Sequence, residues 1–302
     1  MTNPTPFTAK DLGPVGIWSA ALRTGGRGGT ESGPSATEIA EAAAELDELG
    51  YGTLWLGGNP SVGQARDLLR ATRRSTVATG ILSIWDHTAQ EVAARTAELE
   101  PAHRDRFLLG IGVSHGPLAP QYAKPYSAMR EYLTALDSAP VPVPAGNRVL
   151  AALGPKMLEL SRDRAAGAHP YLVTEEHVGS ARELLGEGPV LAPELKVVLD
   201  TDLPRARETA RAYLARYLAL PNYTNNLLRL GFQEEEFAGG GSDRLLDAVF
   251  ALGDAERVRA RVDAFHAAGA DHVALQSVTC EPWTDLPLQE WRDLAEALPL
   301  GR

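Results

Sequence analysis

The stretch Arg106-Phe-Leu-Leu-Gly-Ile-Gly-Val-Ser-His115 decides the fold. An apolar run with no polar alternation is what a strand buried on both faces requires, and such strands belong to parallel sheets. The run breaks on glycines into Ser114 and His115. Polar groups just past a strand's C-terminal end are where α/β enzymes keep their chemistry. Gly110, Gly112 and Gly116 come near the dinucleotide fingerprint, but the last spacing is one residue too long. These glycines are therefore expected to permit a bend, not to cradle a pyrophosphate.

Working outward, the chain repeats one phase: an amphipathic helix, a glycine, then a strand. Ser35-Ala-Thr-Glu38 is a capping box, Ile39, Ala43, Leu46 and Leu49 mark one helix face, Gly50 stops it, and Tyr51 to Leu56 reads as a strand. A second copy has Val258, Val262 and Phe265, then Gly269 and the strand His272–Val278. A third has Met157 and Leu160 running to Gly167, then His169 to Val173. Thr88-Ala-Gln-Glu91 opens another helix with a capping box. Strands are expected at Val15–Ser19, Thr53–Leu56, Val77–Ile84, Phe107–Val113, Val149–Leu153, Pro170–Val173, Lys196–Leu199 and His272–Val278. Strand–helix alternation of this kind implies a parallel α/β sheet, and eight such units in about 250–300 residues fit a (β/α)8 TIM barrel. A doubly wound open sheet is the alternative. No composition break divides the chain, so residues 1–302 are expected to form a single domain. Ala139 to Asn147, with three prolines and Gly146, reads as a surface crossing. Residues 220–242, rich in Asn, Glu and Gly, read as an insertion: a lid, an interface element or a solvated loop, with Ser242 capping the helix after it.

Composition narrows the function. Asp and Glu number 39 against 29 Lys and Arg, a formal net charge of −10, and no basic stripe with interleaved aromatics exists, so nucleic acid is not expected as a partner. No apolar run approaches the roughly 20 residues of a bilayer span. The start of the chain lacks a signal-peptide core, and a cytoplasmic protein is expected. Cys280 is the only cysteine. With it go any intrachain disulfide and any cysteine-rich metal site, and the histidines are too scattered to expect a metal.

Chemistry is then sought beyond the strand ends. Gly154-Pro155-Lys156 after strand five is the clearest binding signal: glycine admits a close ligand, proline opens a helix, and the amides of its first turn suit a phosphate, with Lys156 adding charge. An ordinary strand-to-helix turn is the plainer reading. The Gly-rich segment Thr24 to Gly29, flanked by Arg23 and containing Arg27, lacks the P-loop ending and reads as a loop. Trp18 and Trp85 stand at strand ends where aromatics wall planar ligands, whereas Trp55 reads as core. His115 is the histidine best placed to donate or relay a proton.

Taken in order, Gly-Ile-Trp-Ser at 16–19, Tyr-Gly-Thr-Leu-Trp-Leu at 51–56, Ala-Thr-Gly-Ile-Leu at 78–82, Arg-Phe-Leu-Leu-Gly-Ile-Gly-Val at 106–113 and Ala-Leu-Gly-Pro-Lys at 152–156 resemble the bacterial luciferase-like superfamily. The likeness is to its deazaflavin branch, which uses coenzyme F420. It implies a TIM barrel with the cofactor ring across the C-terminal mouth. It further implies a strand-three bulge, often with a non-prolyl cis peptide, at Gly80, Ile81, Leu82 and Ser83, and a phosphate tail at Leu153, Gly154, Pro155 and Lys156. The ring's reactive edge would meet Ser114 and His115, and the turn after strand six, Thr174 and His177, would contact substrate; by their own strand-end positions Trp18, Asn59 and Trp85 are expected to join them. Relatives often carry Asp-His after the strand-two Trp, and here Gly58 and Asn59 replace it. Gly57 and Gly58 would then leave room for cofactor or substrate, and His115 would take over proton handling. Glu175 and Glu176 argue against an anionic substrate. The resemblance implies hydride transfer to or from a small, neutral organic substrate, and allows a homodimer. An FMN-dependent monooxygenase and a non-catalytic cofactor-binding barrel are the alternatives.

Overall fold

The computed structural model describes residues 6–25, 33–281 and 284–300; Arg27 and residues 26–29 of the Gly-rich segment lie outside the described residues. The strands are β1 Val15–Ser19, β2 Thr53–Gly57, β3 Thr76–Gly80, β4 Leu82–Ser83, β5 Phe107–Gly112, β6 Arg148–Leu150, β7 Gly167–Ala168, β8 Val190–Leu191, β9 Glu194–Leu199, β10 Phe250–Gly253 and β11 Val273–Ser277. All pairings are parallel. β8 and β9 are halves of one stave. The Ala192 amide donates to the Ala168 carbonyl and the Glu194 amide to that of Pro170, which carries the ladder across the gap. β3 and β4 likewise form one stave. Set β10 aside, and the 11-stranded sheet becomes an eight-stave ring, closed because β11 pairs with both β9 and β1. The fold is the α/β barrel expected.

Local signals placed the helices well. Ser35 caps helix Ala36–Leu49 and accepts from the Glu38 amide at 3.3 Å, while the Glu38 carboxylate accepts from the Ser35 amide at 2.8 Å. Gly50 closes that helix in the left-handed region, φ 97°. Thr88 and Ser242 cap as expected. Ile39, Ala43, Leu46, Val258, Val262 and Phe265 all turn into the shell between helices and sheet. Residues 139–147 form no regular element beyond a short turn at Ala145–Asn147, and Val141 is exposed.

Several strand expectations need correction. Stave six is Gly167–Ala168, not Pro170–Val173, because helix Pro155–Arg164 ends earlier than its apolar pattern suggested. Gly167 is no helix stop. It lies in β7, where an added β-carbon would sit 1.9 Å from the Val190 carbonyl oxygen. The Val149–Leu153 candidate shrinks to Arg148–Leu150, and Lys196–Leu199 begins at Glu194. β8 and β10 were not expected, being too short to show a period of their own. Residues 220–242 are no solvated loop: helix Pro221–Arg229 buries Tyr223, Asn226 and Leu227, and Phe232 is buried between it and the short helix Glu234–Gly240.

The glycines of β5 have a different cause from a bend. Val77 and Ala78 pair with Phe107 and Leu108, but Leu82 and Ser83 pair with Ile111 and Gly112. One extra residue is thus held in the β3–β4 stave, as a bulge. There the Thr79 hydroxyl donates to the Gly110 carbonyl at 2.7 Å and accepts from the Gly110 amide at 2.9 Å, replacing ladder bonds. A β-carbon on Gly110 would lie 1.9 Å from the Thr79 oxygen, and one on Gly112 would lie 2.6 Å from Ile81 Cδ1. β5 is thinned so that its neighbour can bulge. The Gly80–Ile81 peptide within the bulge is cis, as the resemblance implied.

Candidate active site

The bulge, the β1 end and the β2 end meet on one side of the barrel mouth. Trp18 Nε1 donates to the Gly80 carbonyl at 2.9 Å, and the indole lies against Gly57, whose β-carbon would come 2.3 Å from Trp18 Cη2. The room expected at Gly57 and Gly58 is therefore taken by the chain itself: Trp18 fills the first, and the Arg23 guanidinium would stand 2.8 Å from a β-carbon on the second. Asn59, at φ 63°, accepts from the Ser83 amide at 2.8 Å and donates to Asp86 at 2.9 Å, so it ties the β2 turn to the bulge. Ser83 and Leu82 are buried, the Ser83 hydroxyl accepting from the Trp85 amide and Leu82 packing in the outer core. Of the four bulge residues with a proposed cofactor role, Ile81 alone is a half-buried side chain. Trp85 Nε1 donates to the Val113 carbonyl, joining the β4 turn to the β5 turn.

Next to the bulge, past the ends of β5 and β6, stand Ser114, His115, Leu153 and Gly154–Lys156. Ser114 is left-handed, φ 55°, and directs the chain into His115. Gly154 is the N-cap of helix Pro155–Arg164, and a β-carbon there would meet nothing within 4 Å, so its surroundings are open. Lys156 is exposed and Leu153 half-buried beside it. Thr174 is buried and caps helix Glu175–Leu185, accepting from the His177 amide. The Thr174 hydroxyl also holds the Glu176 carboxyl below its usual range. That helix start already carries its own anion. His177 is buried, which pushes its pKa down to about 4, and its Nδ1 lies 3.4 Å from Asn226 Nδ2 of the insertion.

Sequence reading missed the polar centre of the mouth. Glu194 and Lys196 face inward from β9 as a fully buried pair, Nζ to Oε2 2.7 Å. Lys196 Nζ also stands 3.7 Å from the centre of the Tyr171 ring. The Tyr171 hydroxyl donates to Gln276 Oε1 at 2.7 Å, Gln276 Nε2 donates to the Tyr213 hydroxyl, and Tyr213 and Tyr217 close a ring of hydrogen bonds back to Tyr171. Tyr213 and Tyr217 come from helix Leu203–Leu218, which leads into the insertion. Trp18, Tyr171, Tyr223 and His115 then form an arc of aromatic rings across the mouth, at centroid spacings of 5.3, 6.0 and 4.8 Å. The signals were present: two opposite charges at i and i+2 in an apolar strand, and tyrosines at i and i+4 on the helix before the insertion.

Among the described residues no cluster of His, Cys, Asp or Glu could hold a metal ion, and no helix is long and apolar enough to cross a membrane.

Residues 15–272 match the family described as luciferase-like monooxygenase. A 98-residue stretch is 34% identical to 4-hydroxyprotoasukamycin monooxygenase of Streptomyces nodosus subsp. asukaensis; it spans 30% of this chain and only 26% of that relative. Among solved structures, an F420-dependent secondary alcohol dehydrogenase in complex with an F420–acetone adduct superposes with a TM-score of 0.70 at 14% identity, covering 96% of this chain and 99% of that one. The oxygenating constituent of 3,6-diketocamphane monooxygenase of Pseudomonas putida, in complex with FMN, superposes with a TM-score of 0.63 at 12% identity, covering 96% and 100%. At these identities the structural likeness establishes the barrel.

Proposed function

The chain belongs to the luciferase-like monooxygenase family, and from that premise we propose a deazaflavin-dependent oxidoreductase that transfers hydride between coenzyme F420 and a small, neutral organic substrate. The carrying observation is the β3–β4 bulge, which brings the half-buried Ile81 to the mouth next to the β5 end that leads into Ser114 and His115. The chain's residues fit a flavin-like group on two counts. The bulge offers an apolar, backbone-backed face, and the open space at Gly154 beside Lys156 suits a phosphate at a helix start. The cofactor, when bound, supplies the two-electron chemistry, and the protein supplies orientation, exclusion of water and a proton. Trp18 holds the Gly80 carbonyl, Asn59 holds the Ser83 amide, and Tyr223 of the insertion packs against His115 and Tyr171. His115 gives or takes the proton that accompanies hydride at a carbonyl or hydroxyl. A neutral substrate is favoured by the self-capped helix start at Thr174, where the Glu176 carboxylate would repel an anion and Glu175 already holds Arg261.

An FMN-dependent monooxygenase is the second reading, favoured by the 34% match to a monooxygenase. Fluorescence titration of the purified protein with F420 and with FMN separates the two. Tight F420 binding and weak FMN binding are expected, and the reverse overturns the proposal. His115→Ala should lower kcat/KM by about a hundredfold, the scale of a lost proton transfer. A change within about twofold removes His115 from the chemistry.

A further inference from the structure

We infer that Asn222, carried by the insertion, is a positioning residue that fixes which ring nitrogen of His115 bears the proton. Helix Pro221–Arg229 begins at the barrel mouth, and Asn222 is its second residue. Its Nδ2 lies 3.2 Å from His115 Nδ1 and 3.5 Å from the Ser114 carbonyl oxygen. A carbonyl only accepts, so the amide end turned toward Ser114 must be the NH2 group. That group has two hydrogens and two neighbours. With one hydrogen directed to Ser114, the other is left for Nδ1, which must then be the bare acceptor. A neutral imidazole accepting at Nδ1 carries its hydrogen on Nε2. The left-handed Ser114 supports this arrangement, since it places the Ser114 carbonyl and the His115 ring on the same amide. Tyr223, the next residue along the helix, packs against the His115 ring at a centroid distance of 4.8 Å and is itself buried, which limits the ring flip that would put Cδ2 in place of Nδ1 against the Asn222 amide.

The insertion is therefore part of the site and not only its cover. The inference rests on the proton role proposed for His115, but the tautomer itself is a property of the protein alone. Long-range proton–nitrogen NMR of protein labelled with 15N-histidine reads it directly, with the His115 signals assigned by their loss in His115→Gln. In the wild type at neutral pH, Nδ1 should resonate as a bare, lone-pair nitrogen and Nε2 as a protonated one. Asn222→Leu removes the donor at Nδ1 and should change the tautomer populations. Asn222→Asp keeps the shape of the side chain but replaces a donor by an acceptor, and should move the proton to Nδ1. In that variant kcat should fall about tenfold or more with KM within about twofold, while near-native thermal unfolding shows that the fold is kept. A wild-type His115 protonated on Nδ1, or a tautomer unchanged in Asn222→Leu, overturns the inference. The spectra need no cofactor, so failure of F420 to bind would end the functional proposal and leave the tautomer result standing.

Discussion

Glu194 and Lys196 show what a buried charge does to a barrel. They stand two apart on β9, so they face the same way, and both are essentially without solvent exposure. Burial pushes the Glu194 carboxyl up and the Lys196 ammonium down, and their mutual attraction opposes both shifts. The second Glu194 oxygen, Oε1, has no hydrogen-bond partner, and Oε2 carries both Lys196 and the Leu172 amide. Removing one member of such a pair strands the other. Lys196→Met should therefore cost about 3–5 kcal/mol in urea unfolding. The double change Lys196→Met with Glu194→Gln should recover most of that loss, because no uncompensated charge remains. If the double variant is as unstable as the single one, packing against Tyr171 and not charge is what the lysine contributes.

At the scale of elements, the same residue type serves opposite ends. Gly110 exists for the bulge: its β-carbon would strike the Thr79 carbonyl at 1.9 Å, backbone that cannot swing aside. Gly154 has open space where a β-carbon would go. Gly110→Ala should cost more than about 2 kcal/mol by forcing the two strands apart. Gly154→Ala should cost only about 1 kcal/mol, the price of a poorer N-cap, yet weaken cofactor binding about tenfold if a phosphate approaches that turn. Thermal unfolding and a fluorescence titration of each variant separate the cases; equal stability losses would end the distinction. These glycines also mark how far the sequence could be read. Ser35, Thr88 and Gly50 were legible because a cap is settled within four residues of chain. Gly110 and Gly167 were misread because their reason lies on a neighbouring strand, at Thr79 and Val190. The bulge was legible only through the family resemblance, since one extra residue in a stave leaves no period to detect.

At the scale of the molecule, the alternation of helix and strand announced the barrel, because each unit repeats the same local pattern. What fills the barrel was not announced. Trp55 was read as core, but its partners come from distant staves: it stacks on His169 at 4.0 Å and donates through Nε1 to His272 Nε2 at 3.0 Å. His272 Nδ1 in turn meets the Gly13 carbonyl while its Nε2 accepts from Trp55, so that ring is neutral; His169 Nδ1 meets the Ala192 carbonyl, and its buried Nε2 has no partner that would hold a second proton. Burial holds His169 down to about 4 and His272 down to about 3, and His177 beneath the insertion sits at about 4 as well. In the unfolded chain each titrates near 6.5. Between that pH and the folded values the unfolded state binds protons that the folded state refuses. Stability is thus fully present above about pH 6.5 and is lost as pH falls, at about 1.4 kcal/mol per pH unit for each histidine. Three such groups give a slope of about 4 kcal/mol per unit near pH 5, while carboxylates such as Asp47 contribute only below about pH 4. Against a total stability on the order of 5–15 kcal/mol, that slope should unfold the barrel between about pH 5 and 4. Urea unfolding at a series of pH values from about 7.5 to about 5 tests it, with His272→Gln expected to flatten the slope by about one third. Stability that stays level from pH 7 to about 5 would mean that these rings are protonated or hydrated in the folded protein, and the dry, neutral centre would have to be abandoned.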